Sequence, residues 1–152
     1  MSLPQELVAP VTEDLRKEDL KFDIIKGIEH VNYQDGKLDA GDVEEGDWVR
    51  KTATGFAVPN ASQTRCFPVV TGNNRYDSKA TGNVTVIVGG NWIYQTTKFV
   101  AGSYTVGQAL TVKDLGGGEK VPSAAGSGDV VCGRVFAYDA AKGILTIEVV
   151  TV

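Results

Sequence analysis

The stretch Val84-Thr85-Val86-Ile87-Val88-Gly89-Gly90-Asn91-Trp92-Ile93-Tyr94-Gln95-Thr96-Thr97-Lys98-Phe99 decides the fold class. Both halves are dense in β-branched and aromatic residues, which suit a pleated, half-buried surface better than a helix. Gly89-Gly90-Asn91 between them has the composition of a tight turn. The local reading is therefore a β-hairpin with strands over 84–88 and 92–99. The C-terminal end repeats the theme: Val130 to Tyr138, a turn at Asp139-Ala140-Ala141-Lys142-Gly143, then Ile144 to Val150. In that last run Leu145, Ile147 and Val149 alternate with Thr146 and Glu148, the pattern of an antiparallel strand with one apolar face.

Further upstream, Trp48 to Thr52 and Phe56 to Val58 flank Ala53-Thr54-Gly55, a three-residue hairpin signal. Cys66 to Thr71 reads as a strand, and Pro68 within it predicts a sheet edge. Asp35-Gly36 is a turn signal that predicts short strands near Ile28 to Tyr33 and Lys37 to Leu38. Tyr104, Val106, Leu110 and Val112 read as strands broken by Gly107, and 115–120 and 122–128 read as loops. Short strands punctuated by turns predict a mainly β protein, a small β-barrel or sandwich.

Residues 1–26 differ in texture. They are rich in charge, show no strand pattern, and contain Pro4 and Pro10, which favour extended backbone. They read as an extended N-terminal arm. Within it Thr12, followed by Glu13 and Asp14, is a capping signal that predicts a short helix over 13–20. The expected organisation is an arm over 1–26 and a single β domain over 27–152.

Composition narrows the function classes. A chain of 152 residues supports one core. With 42% hydrophobic residues, 22% charged residues and a net charge of -4, it reads as a mildly acidic globular protein. Neither nucleic acid nor a membrane is an expected partner. No apolar run approaches the length of a membrane span, and the first residues lack the basic start and apolar run of a secretory signal.

The chemistry-bearing residues are sparse. His30 is the single histidine and reads as a partly exposed strand residue. A nucleophilic dyad with Cys66 or Cys132 would need a proximity that nothing in the sequence provides. The two cysteines lack metal or redox spacing and read as buried, reduced thiols; a disulfide stays open should their strands be neighbours. Gly126-x-Gly128 precedes a strand, and Gly116-Gly117-Gly118-Glu119-Lys120 lacks phosphate-loop spacing. The acids Asp35, Asp39, Asp42, Glu44, Glu45 and Asp47 do not match a calcium loop and read as a solvated acidic hairpin. Asn60-Ala61-Ser62 and Asn83-Val84-Thr85 fit the glycosylation triplet but come with no export signal. Trp48, Trp92 and Tyr94 read as core; the alternative is a sugar-stacking platform in a carbohydrate-binding or hydrolytic domain. The expectation is a non-enzymatic protein without cofactor or metal.

Three segments carry a resemblance when taken in order. They are Val43-Glu44-Glu45-Gly46-Asp47-Trp48-Val49, then Ala101-Gly102-Ser103-Tyr104-Thr105-Val106-Gly107-Gln108-Ala109-Leu110-Thr111-Val112, then Gly128-Asp129-Val130-Val131-Cys132-Gly133-Arg134-Val135-Phe136 running on to Gly143-Ile144-Leu145-Thr146-Ile147-Glu148-Val149. The set resembles the capsid decoration, or cement, proteins of tailed bacteriophages. The resemblance implies a small β-barrel or β-tulip domain on the outer surface of the head, made in the host cytoplasm and clamping neighbouring major capsid subunits. Many members of that family form trimers, others dimers or monomers, so a homo-oligomer is expected, with a trimer favoured. No catalytic residues are implied. For such a role the arm offers Leu3, Pro4, Leu7, Val8, Pro10 and Val11 as contacts, since extended backbone can add to a neighbour's exposed sheet edge. Another virion β module, from a tail, baseplate or fibre, would share the same composition.

Overall fold

A computed structural model describes residues 20–61, 64–73 and 82–151. The arm contacts Leu3 to Val11 lie outside the described residues, as does the helix expected over 13–20 apart from Leu20, which begins a turn. Among the described residues ten strands form the fold: β1 (Asp23–Lys26), β2 (Asn32–Lys37), β3 (Trp48–Lys51), β4 (Phe56–Ala57), β5 (Cys66–Thr71), β6 (Asn83–Thr96), β7 (Ala109–Thr111), β8 (Ser123–Ala124), β9 (Gly133–Asp139) and β10 (Ile144–Thr151). One 3-10 turn, Ile28–His30, separates β1 from β2. The protein is mainly β, built on a curled antiparallel half-barrel sheet.

The organising element is β6, 14 residues long. It runs straight through Gly89-Gly90, so the hairpin expected there does not exist. The glycines serve a close approach instead. A side chain at Gly90 would collide with the carbonyl oxygen of His30, and the Gly90 φ of 120° is one that other residues rarely adopt. β1 and β2 follow one another along β6, from Asp23 opposite Gln95 to Lys37 opposite Asn83. The N-terminal half of β6 also pairs with β5, and the C-terminal half with β10.

Two cores share this strand. Around the first half, pairings run β2–β6–β5–β3–β4 and return to the end of β2 through a bridge between Leu38 and Phe56. Four of the five strands of the ring supply its interior, Val84 and Val86 from β6, Val69 from β5, Val49 from β3 and Phe56 from β4, with Leu38 and Val43 from the connections. Around the second half, β1–β6–β10–β9–β7–β8 curls over Trp92, Tyr94, Leu110, Val135, Leu145, Ile147 and Val149, with Trp48 completing the cluster. Fully burying one such side chain contributes roughly 1.5 to 3 kcal/mol. The alternation in β10 has the expected outcome on one face, where Leu145, Ile147 and Val149 are all buried; on the other, Glu148 is exposed but Thr146 is buried.

Several local readings are corrected by long-range contacts. Asp35-Gly36 is not a turn: β2 passes through it, and Gly36 is there because the Phe56 ring lies on its backbone, where an added Cβ would sit 2.6 Å from Cε2. Pro68 does not mark an edge, since β5 lies between β3 and β6. Its pairing with β6 starts only at Val69, so the donor Pro68 lacks falls where no ladder bond is needed. Residues 28–30 form the 3-10 turn, so His30 is not on a strand. Tyr104 lies in an irregular segment and Val106 in a turn, and the strand begins at Ala109. β9 starts at Gly133, three residues later than expected, and the loop over 122–128 contains β8. The sheet itself begins at Asp23, within the stretch read as the arm.

Candidate interaction surface

The residues with catalytic potential lie in different surroundings. His30 is exposed, with Nε2 3.3 Å from Oε1 of Glu29. Cys66 and Cys132 are free thiols buried in the same core. Burial first, and the neighbouring Cys132 second, push the Cys66 thiol up to about 12. Its Sγ donates toward the carbonyl of Val112 at 3.5 Å, and that of Cys132 toward the carbonyl of Val130 at 3.9 Å.

Trp48, Trp92 and Tyr94 form a packed aromatic group, not a platform. The Trp48 indole N–H donates to the Tyr94 hydroxyl at 3.1 Å, and the Tyr94 ring lies 5.1 Å from Trp92 and 4.7 Å from Phe22. All three are at most 2% exposed, and rings covered on both faces cannot stack on a sugar. The carbohydrate reading loses its residues here.

The acids disperse, and the solvated acidic hairpin is replaced by three separate tasks. Asp35 accepts a hydrogen bond from Thr85 Oγ1 at 2.6 Å. Asp39 accepts from Thr52 and Thr54, which hold its carboxyl below the usual range. Glu44 and Asp47 converge on Lys98, whose Nζ lies 2.7 Å from Glu44 Oε1 and 2.8 Å from Asp47 Oδ1. Lys120 Nζ donates to the Asp42 carbonyl at the rim of the same cleft, which has a volume of about 320 Å³. This cluster fastens the loop before β3 to the end of β6. Among the described residues no three His, Cys, Asp or Glu side chains are grouped to hold a metal ion.

What the surface does present is apolar. Along β10, Glu148 and Val150 share the outward parity, and on the neighbouring β9 Arg134 lies opposite Glu148. Phe136, two residues on from Arg134, is 50% exposed, and Val150 is 51% exposed. Two shallow depressions meet at Glu148 and Val150. One, of about 110 Å³, extends to Val131; the other, of about 360 Å³, extends past Phe136 to Lys26 and His30. The outer face of the β9–β10 pair thus carries the exposed apolar side chains Phe136 and Val150 beside the charged Arg134 and Glu148, a mixed composition of the kind found on protein-binding surface. Sequence reasoning missed it, although the parity of β10 carried the signal: Val150 falls on the same face as Glu148.

No protein-family model matches the chain, and none of the curated proteins matches it.

Proposed function

We propose that this chain is a structural virion protein that binds the outer surface of a phage capsid and stabilises contacts between major capsid subunits. The observation that carries the reading is the pair of exposed apolar side chains Phe136 and Val150 on the outer face of β9 and β10, on a domain whose one histidine is exposed while its two thiols are buried. A protein whose value lies in the surfaces it joins needs exposed apolar area and a rigid scaffold; it needs no group poised for proton transfer. The three segments that carry the resemblance to cement proteins support the same reading. They lie in the loop leading into β3, in the turn leading into β7, and in β9 and β10, and the last pair supplies the apolar face. The major capsid protein is the proposed partner, reached through this face and through the arm residues Leu3, Pro4, Leu7, Val8, Pro10 and Val11.

The test is imaging of assembled virions together with decoration of undecorated heads by purified protein. The reading expects density for the chain on the outer surface, an unfolding temperature of the heads raised on decoration, and weakened attachment when residues 1–11 are deleted. Heads that bind neither form, or virions that lack the chain, would overturn it. Unchanged occupancy by the truncated form would remove the arm from the proposal.

A further inference from the structure

The outer face of the β9–β10 pair is complementary to itself, and we propose that two copies of the chain pack face to face across it. Arg134 and Glu148 stand directly opposite each other in the ladder, and both are exposed. They nevertheless leave each other unpaired. The Arg134 guanidinium turns away from β10 and donates through Nη1 to the carbonyl of Gly107, at 3.2 Å, on the far side of β9. That one bond uses a fraction of the five N–H donors a guanidinium carries. Among the described residues no cation meets Glu148.

Opposite charges at one level of a ladder satisfy a simple symmetry. A two-fold axis lying between two stacked faces and parallel to the strands keeps every residue at its level and lays β9 of one copy over β10 of the other. Arg134 then meets Glu148 of the second copy, and Glu148 meets Arg134 of the second copy, so one ion pair forms twice. An axis running across the strands at the same level sets like charge on like charge. Under the strand-parallel axis the strands of both copies run in the same direction, within the roughly 30° range in which stacked sheets align.

The apolar residues follow the same symmetry. Val131 and Val150 line one depression together with Arg134 and Glu148. The rotation sets Val150 of each copy toward Val131 of the other. Phe136 is the extra residue where β9 shifts register between Val135 and Ala137, a bulge that leaves its side chain on the outer face, over β10 of the second copy. A single exposed apolar side chain is ordinary. Here Phe136 at 50%, Val150 at 51% and Val131 at 38% exposure surround an arginine and a glutamate that lack each other, which is the make-up of an interface centre.

The contact does not rest on the capsid reading: virions without the chain would leave it standing. Since capsid attachment is proposed through the same face, the two exclude one another, and the dimer caps the face in the free chain. Analytical ultracentrifugation of the full chain from about 1 μM to about 1 mM is the test. The expected result is a monomer–dimer equilibrium that weakens with salt. Arg134→Glu and Glu148→Arg are each expected to weaken it by roughly tenfold, because each substitution acts at two contacts. The two combined in one chain are expected to restore it, and Phe136→Asp to weaken it without touching the charges. Circular dichroism of each variant separates association from folding. A monomer at every concentration, a trimer, a folded dimer indifferent to both Arg134→Glu and Phe136→Asp, or a charge-swapped chain as weak as either single variant would overturn the proposal.

Discussion

Replacing Lys98 by Met tests how much of the stability resides in the charge cluster under β3. Lys98 is 17% exposed at its side chain and Asp47 6%, so the pair is largely removed from water; Glu44, at 38%, is not. Met keeps most of the apolar stem of lysine, so the change isolates the charge. Breaking a buried pair by removing one partner costs about 3 to 5 kcal/mol, chiefly because the remaining charge is stranded. Two features reduce the figure here. The other oxygen of Asp47 keeps its hydrogen bond from the Glu44 backbone N–H, and Glu44 is screened by solvent and keeps Lys21 at 3.6 Å. A loss of about 2 to 3 kcal/mol is expected, a large share of the roughly 5 to 15 kcal/mol that holds a domain of this size together.

Urea unfolding followed by tryptophan fluorescence measures it, since Trp48 and Trp92 are both buried. The pH dependence adds a second constraint. The hydrogen bond from Lys98 is the main reason the Glu44 carboxyl titrates below its ordinary 4.5. A depressed carboxyl contributes stability that is present above its unfolded pKa and lost as pH falls through the lower folded value. The gap between the wild type and Lys98→Met is therefore widest near neutrality and narrows below about pH 4.5. A loss under about 1 kcal/mol at neutral pH, or a gap that stays constant down to about pH 3, would refute the reasoning.

Gly36→Ala should destabilise by about 1 to 3 kcal/mol, because the new methyl overlaps the Phe56 ring. The same change in a Phe56→Leu background should cost less, and strict additivity in a double-mutant cycle would show that the two do not touch. Cys66, buried with its thiol pushed up to about 12, should resist a thiol reagent in the folded protein at about pH 8 and react once urea unfolds the chain. Rapid labelling of Cys66 under native conditions would contradict its placement in the core.

The sequence was legible wherever local chemistry and long-range packing asked for the same thing. Ala53-Thr54-Gly55 and Asp139 to Gly143 turn as their composition asks, the first with Thr54 bonded to Asp39 in support, and the burial of Leu145, Ile147 and Val149 needs only one partner face. The surface reading failed for a related reason. Phe136 and Val150 are apolar residues like any in the core, and only the pairing of β9 with β10 tells which side of the sheet they occupy. The acids between Asp35 and Asp47 read as one solvated group because they are near in sequence, while their partners Thr85 and Lys98 come from β6 and the residues just after it.

Gly89-Gly90 shows the limit most clearly. Taken alone, two glycines between β-rich runs favour reversal, since a hairpin satisfies backbone groups with the shortest loop. Reversal there would press Val84 and Val86 toward Trp92 and Tyr94, and each set already has a larger apolar surface to cover. The valines close the ring over Val49, Phe56 and Val69; the aromatics cover Leu145, Ile147 and Val149. A hairpin would leave both of those surfaces in water, at a cost of several side-chain burials of roughly 1.5 to 3 kcal/mol each. One continuous strand serves both cores, and the glycines let the backbone of the 3-10 turn lie against it. That closeness also leaves Ile28 59% exposed at the turn, so the feature that defeats the local reading of the fold fixes what this part of the sheet shows to solvent.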